Sequence, residues 1–169
     1  LKPLNRQDSL EQVADRAAFT TQVSNDGQAV TKATYFLKNR GHAHFKVTLE
    51  AEIELWETKV AGKRVIPITQ GETILVPLPK GQNLNAPIEV SLKFAPKPSN
   101  DGDVRVTLPK VDSPLLLSNW KVTPDQDYRL EFEDGSVKPT NERSDLSGFA
   151  RLKQGEWRAF PLRGSVARR

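Results

Sequence analysis

Apolar side chains recur at every second position along most of this chain, the rhythm of strands that bury one face. Phe19, Thr21 and Val23 alternate with polar neighbours, and Asn25-Asp26-Gly27 follows with residues that tolerate positive φ. The pattern then returns through Thr31, Ala33, Tyr35 and Leu37, which predicts a hairpin with its second strand over 29–37. After an Asn39-Arg40-Gly41 turn, Phe45, Val47, Leu49, Ala51, Ile53 and Leu55 alternate over eleven residues. That exceeds a usual strand, so a bend or bulge near Ala51 is expected. Ala61-Gly62-Lys63 turns, Val65 to Ile68 returns, Gln70-Gly71-Glu72 turns again, and strands are predicted over 73–78 and through Ile88, Val90, Leu92 and Phe94.

Ala95 to Asp103 holds Pro96, Pro98, Ser99, Asn100 and Gly102 without apolar periodicity and reads as a linker. Beyond it Val104, Val106 and Leu108 alternate, and strands are predicted over 115–122 and 128–132, separated by a Pro124-Asp125 turn. Asp134-Gly135 predicts another turn, 136–148 a polar loop, and Gly148-Phe149 with 157–162 a last pair of edge segments. No segment longer than about ten residues has a helical period, which excludes βαβ folds. Residues 1–11 form a lead-in segment, with at most one helical turn capped by Ser9 and Gln12.

Many short strands with one buried face predict an all-β fold, an antiparallel two-sheet β-sandwich of Ig-like or jelly-roll-like kind. The proline-rich break after Phe94 comes after enough strands for one sandwich. Residues 12–98 therefore read as the β-sandwich and 104–169 as a second set of strands packed on it, a smaller second lobe with a basic C-terminal end.

Composition changes this picture in three ways. Cysteine is absent, which removes disulfides, thiolate metal sites and cysteine nucleophiles together. The chain begins at Leu1, contains no Met and has no apolar run of membrane-helix length, so it reads as a segment of a longer protein whose leader or anchor lies elsewhere. The net charge of +4 is local: Arg151, Lys153, Arg158, Arg163, Arg168 and Arg169 against Glu156 give residues 150–169 a charge of +5 and leave −1 on the rest. A nearly neutral body without a basic, aromatic-interleaved stripe argues against nucleic acid as a partner.

The order of features from Gly27, Thr31 and Tyr35-Phe36-Leu37-Lys38-Asn39, through Phe45-Lys46-Val47-Thr48-Leu49 and Ile53-Glu54-Leu55-Trp56, to Val60-Ala61-Gly62-Lys63 resembles a known kind of module. Ile74-Leu75-Val76-Pro77-Leu78, the strand ending at Phe94, Leu108-Pro109 and Trp120-Lys121-Val122-Thr123-Pro124 with Tyr128 continue the likeness. Over residues 13–128 the chain resembles β-sandwich modules of large exported bacterial proteins of unassigned function. The resemblance implies a periplasmic or cell-surface location and an arrayed, structural role, and it supplies no catalytic residue.

Four groups of side chains could carry chemistry. His42 and His44 stand at i and i+2, a spacing that on a strand aims both imidazoles to one side and makes them candidate metal ligands. A turn-side pair of exposed polar residues is the simpler account. Glu50, Glu52 and Glu54 alternate opposite Leu49, Ile53 and Leu55, where three carboxylates could hold calcium or supply an acid and base pair. A solvated strand face explains them without either. Trp56 falls on the same face and is the best single sign of a ligand surface, because a flat apolar sugar face stacks on such a ring. Against that, Trp56, Trp120 and Trp157 can equally plug the sandwich ends. No Gly-x-Ser-x-Gly elbow, phosphate loop or dinucleotide fingerprint occurs.

The leading expectation is thus a non-catalytic structural or interaction module that needs no cofactor, with protein or neighbouring domains of the same chain as partners. The alternative is carbohydrate binding through Trp56 with Glu50, Glu52 and Glu54, with or without calcium. A carboxylate-dependent hydrolase comes third. Exposure of Trp56 beside a concave face would favour the glycan, and burial of all three tryptophans the structural role.

Overall fold

The computed structural model describes residues 12–81, 83, 85–98 and 104–125, together with the backbone of two strands over 128–135 and 155–161. The lead-in over 1–11, the linker residues 99–103, the polar loop with Gly148-Phe149, the basic end beyond 161 and the Trp157 side chain lie outside the described residues.

Thirteen strands follow in order: β1 (Gln12–Val23), β2 (Ala29–Asn39), β3 (His44–Thr48), β4 (Ile53–Val60), β5 (Lys63–Arg64), β6 (Ile68–Gln70), β7 (Thr73–Pro77), β8 (Ile88–Pro96), β9 (Val104–Thr107), β10 (Lys110–Val111), β11 (Ser118–Pro124), β12 (Tyr128–Gly135) and β13 (Gly155–Pro161). Six strands form one sheet in the order β11-β1-β2-β8-β4-β5, and four form the other in the order β10-β3-β7-β6. The fold is all-β and sandwich-like, without a helix among the described residues. Every strand pair is antiparallel except β1 with β11, which run parallel from Ala17↔Ser118 to Val23↔Pro124. β10 lies in the four-stranded sheet and β11 in the six-stranded one, so the 112–117 connection crosses between sheets, which leaves β11 free to align parallel.

The two sheets hold one core between them. Alternate residues of β2 (Ala33, Tyr35 and Leu37), Phe19 of β1 and Val90, Leu92 and Phe94 of β8 face Phe45 and Val47 of β3 and Ile74 and Val76 of β7. Tyr35 sits at the centre, fully buried, its ring edge-on to Phe19 at 5.6 Å and to Phe45 at 5.1 Å. Its hydroxyl finds no hydrogen-bond partner among the described residues, and burial pushes the phenol far above its ordinary pKa.

Two satisfied polar groups close the sandwich. Gln12 donates through Nε2 to Asn39 Oδ1 (3.1 Å) and to the His44 carbonyl (3.2 Å) and accepts from Ser113 Oγ (2.5 Å), tying both sheets together at one end. Toward the other end Thr21 and Thr31, direct cross-strand partners, share a hydrogen bond of 2.7 Å. The Trp120 indole N–H donates to Thr21 Oγ1 at 2.9 Å. Trp120 also packs between the main core and a smaller cluster of Val23, Ala29, Val104 and Val106. The last two belong to β9, which joins a third sheet in the order β12-β13-β9.

Several expectations change. The eleven-residue run over 45–55 is two strands: β3 ends at Thr48, the Ile53 amide donates to the Glu50 carbonyl across a turn (2.9 Å), and β4 continues in the other sheet. The alternation survives the crossing because both sheets face one core. A bulge does occur, but at Trp56, where the β4–β8 register slips between Leu55 and Glu57. Of the return expected over 65–68 only Ile68 lies in a strand: β5 ends at Arg64 in the six-stranded sheet, 65–67 are irregular, and β6 begins at Ile68 in the four-stranded one. Residues 157–162, expected at an edge, fall largely in β13, the middle strand of the third sheet, and Asp134-Gly135 ends β12 rather than turning.

The β4–β5 hairpin turns on Ala61 (φ 49°) and Gly62 (φ 77°), the paired positive angles of a two-residue loop matched to strand twist. Glu57 clips it shut, accepting from Arg64 Nη2 at 2.6 Å and lying 2.9 Å from Lys59 Nζ. The Arg64 bond above all, then Lys59, holds the Glu57 carboxyl at about 2.

Two outcomes follow from this packing. Removing the orphaned hydroxyl in Tyr35→Phe raises stability by about 1 kcal/mol, read as a higher urea midpoint at unchanged slope. For Glu57 the folded pKa lies below the unfolded one, so its contribution is present above 4.5 and fades as pH falls toward about 2. The stability difference between wild type and Glu57→Gln therefore shrinks across that window and with added salt, in urea titrations at each pH.

Candidate functional site

Outward-facing residues of the six-stranded sheet line a shallow cleft of about 480 Å³. β1 supplies Thr20 and Gln22, β2 Val30 and Lys32, β8 Glu89, Ser91 and Lys93, and β4 Glu57 and Lys59. These positions alternate with the core residues of the same strands, so the buried pattern dictates which side chains reach the surface. Trp56 stands beside the cleft, 49% exposed, with Lys93 Nζ 5.8 Å from its ring centroid. Trp56 follows the inward Leu55 and so faces out, and a bulge falls at the same point. One extra residue on β4 leaves Trp56 without a partner on β8, and the strand resumes its phase at Glu57.

The residues singled out in the sequence do not converge. Glu50 and Glu52 lie in the loop between β3 and β4, and Glu54 alone of the three is on a strand. The expectation that they share one strand face is therefore corrected, because the strand that would have carried them breaks to change sheets. His42 lies in the turn before β3, where its backbone amide donates to Asn39 Oδ1 (3.2 Å) and its carbonyl accepts from Asn39 Nδ2 (2.8 Å). His44 opens β3. Among the described residues no group of three or more His, Asp or Glu side chains is placed to hold a metal ion. Of the tryptophans, Trp120 is half-buried with its N–H bonded, whereas Trp56 is exposed beside a concave face.

Sequence reasoning missed Lys32, Lys93, Gln22 and Ser91. Each could have been flagged as the polar phase of a predicted strand, but nothing local links residues about sixty positions apart. The register Lys32↔Lys93 exists only once β2 and β8 are paired.

A second concavity of about 280 Å³ lies near one end of the strands, lined by Asn39, Gly41, His42, Pro79, Lys80 and Ile88 among others. Exposed apolar side chains gather elsewhere, at Ile66 (89% exposed) and Ile68 (51%), on and just before β6, the edge strand of the four-stranded sheet.

No family model matches the sequence, and no curated protein matches it. Solved structures share the fold. The M1 zinc metallopeptidase of Deinococcus radiodurans superposes with a TM-score of 0.55 at 13% identity, over 89% of this chain and 39% of that one. Native yeast LTA4 hydrolase gives 0.55 at 10% identity, over 88% and 29%. Legionella pneumophila aminopeptidase A gives 0.50 at 11% identity, over 94% and 21%. This chain thus spans well under half the length of these proteins. The residues here do not fit the zinc that the first of them is named for. The only histidines, His42 and His44, are two apart and lack the His-x-x-x-His spacing that sets two imidazoles on one helical face. What the likeness establishes is a β-sandwich-like fold that matches part of larger multidomain hydrolases.

Proposed function

We propose that this chain is a non-catalytic structural and interaction domain of a larger exported bacterial protein, and that it works by packing against a neighbouring domain of the same polypeptide. The supporting observation is that nearly the whole fold corresponds to a minor fraction of longer chains. The scattering of Glu50, Glu52, Glu54, His42 and His44 agrees with it, since no two of them are brought into a cleft with a nucleophile. The exported location rests on the resemblance of the strand order to modules of exported proteins.

The edge at β6 is the surface that suits docking. An edge strand presents unpaired backbone donors and acceptors, and here it also presents Ile66 and Ile68 to solvent. Pro67 between them removes one donor and shortens the stretch on which stray strands could add. A covering neighbour would bury both isoleucines, worth about 1.5–3 kcal/mol each when fully buried. A second reading, glycan binding, is favoured by one specific observation: Trp56 is exposed beside a concave face.

Two measurements decide the main proposal. The purified chain, assayed on aminoacyl 4-nitroanilides with and without added zinc, releases nitroaniline no faster than buffer; saturable, zinc-dependent release would overturn the proposal. The amides of Ile66 and of 68–70 exchange at least about tenfold more slowly in the full-length protein than in the separate chain, because a docked edge opens less often. Equal exchange in both would remove β6 as the docking surface.

A further inference from the structure

The outer face of the six-stranded sheet carries a pairing that folding alone disfavours. Lys32 of β2 and Lys93 of β8 are direct cross-strand partners, and both line the cleft. Like charges set directly opposite on a sheet are destabilising. The register offers Lys93 a carboxylate on its other side, Glu57 of β4, but that carboxylate is held by Arg64 and Lys59. Two lysines elsewhere do find a carboxylate, Lys38 with Asp15 at 2.7 Å and Lys46 with Asp112 at 2.9 Å. Lys32 and Lys93 make no ion pair among the described residues, and Lys93 leans toward the face of Trp56. The two features lie side by side: a like-charge pair whose cross-strand carboxylate is already held by other cations, and an exposed indole at a bulge.

We infer that this cleft binds an acidic oligosaccharide. A sugar carboxylate supplies the charge that Lys32 and Lys93 lack. The apolar face of the ring lies on Trp56, as the polarised C–H groups of a sugar favour an aromatic face. Thr20, Gln22 and Ser91 offer hydroxyl and amide groups to the ring hydroxyls, and Glu89 offers an acceptor. A neutral glycan leaves the lysine pair unexplained. Successive bases of a single-stranded nucleic acid stack on successive aromatic side chains, and Trp56 is the one aromatic beside this cleft among the described residues. A peptide finds only Val30 as an apolar contact in the cleft lining. Glu50, Glu52 and Glu54 take no part in the lining, so calcium held by those three has no place in this cleft.

This inference rests on the glycan-binding reading above, and the experiment separates the two. Tryptophan fluorescence and calorimetry follow titration of the purified chain with hexagalacturonate, oligoguluronate, a chondroitin sulfate hexasaccharide, neutral cellohexaose and an oligothymidylate, at low and high salt and with EDTA. At least one acidic glycan binds and is insensitive to EDTA, and salt weakens it. Trp56→Ala and the double variant Lys32→Gln/Lys93→Gln each lose at least about tenfold in affinity. The double variant melts no lower than wild type, because relief of the like-charge pair accompanies the loss of binding. Silence of all three acidic glycans at millimolar concentration overturns the inference. So does a double variant that melts well below wild type, which would make the lysines structural. Cellohexaose binding that is unchanged in the lysine variant also overturns it, while leaving the glycan reading intact. Oligothymidylate bound more tightly than any glycan removes both.

Discussion

Burial of one face of each sheet against the other is the constraint on which everything else in this molecule depends. β2 shows it most plainly: Thr31, Ala33, Tyr35 and Leu37 are all fully buried, and the residues between them are not. A slip of one residue would send Tyr35 to solvent and bring Lys32 into the core, so the register of the central strands is strongly specified. The same requirement decides the outer face. Once Ala33 and Leu92 face inward as cross-strand partners, Lys32 and Lys93 must face outward as partners too. The surface chemistry is therefore a by-product of core packing in its position and a separate choice in its side chains.

The polar groups inside the sandwich serve its ends rather than its middle. Gln12 joins β1, β2 and β3 to the crossing that leads into β11, and Thr21 Oγ1 links Trp120 and Thr31 through one hydrogen bond to each. Such groups cost little when satisfied and a good deal when not. They fix where the strands stop sliding, which an oily interface alone leaves loose. Tyr35 is the exception at the centre, contributing ring area and edge-on contacts to Phe19 and Phe45 while its hydroxyl goes unpaired.

On the solvent side the one irregularity in β4 has the largest consequence. The bulge lets two successive residues face outward, Trp56 next to Lys93 and Glu57 close to Arg64 and Lys59. Without it, a strict alternation would place either Trp56 or Glu57 toward the core. The bulge thus brings Glu57 onto the outer face opposite Lys93, where Arg64 and Lys59 already hold its carboxylate and the β4–β5 hairpin with it. The cleft and the exposed edge at β6 belong to different sheets, so docking of a neighbour at one need not obstruct the other.

The two-residue rhythm determined by itself that this is an all-β sandwich and which phase of β1, β2 and β8 is buried, because period and burial are local properties of a pleated chain. It also marked Trp56 as outward, since Trp56 sits opposite Leu55 in that rhythm. The crossing at 49–52 was hidden for a physical reason: Leu49, Ile53 and Leu55 point to the same core whichever sheet carries them, so the alternation runs through the turn unbroken. That concealed break made Glu50, Glu52 and Glu54 look like neighbours on one face. Only the tertiary structure decided that β11 lies parallel to β1, that β13 is a central strand, and that Lys32 stands opposite Lys93. Those are pairings between distant segments, and pairing energy depends on what lies across the sheet, which no stretch of a single strand records.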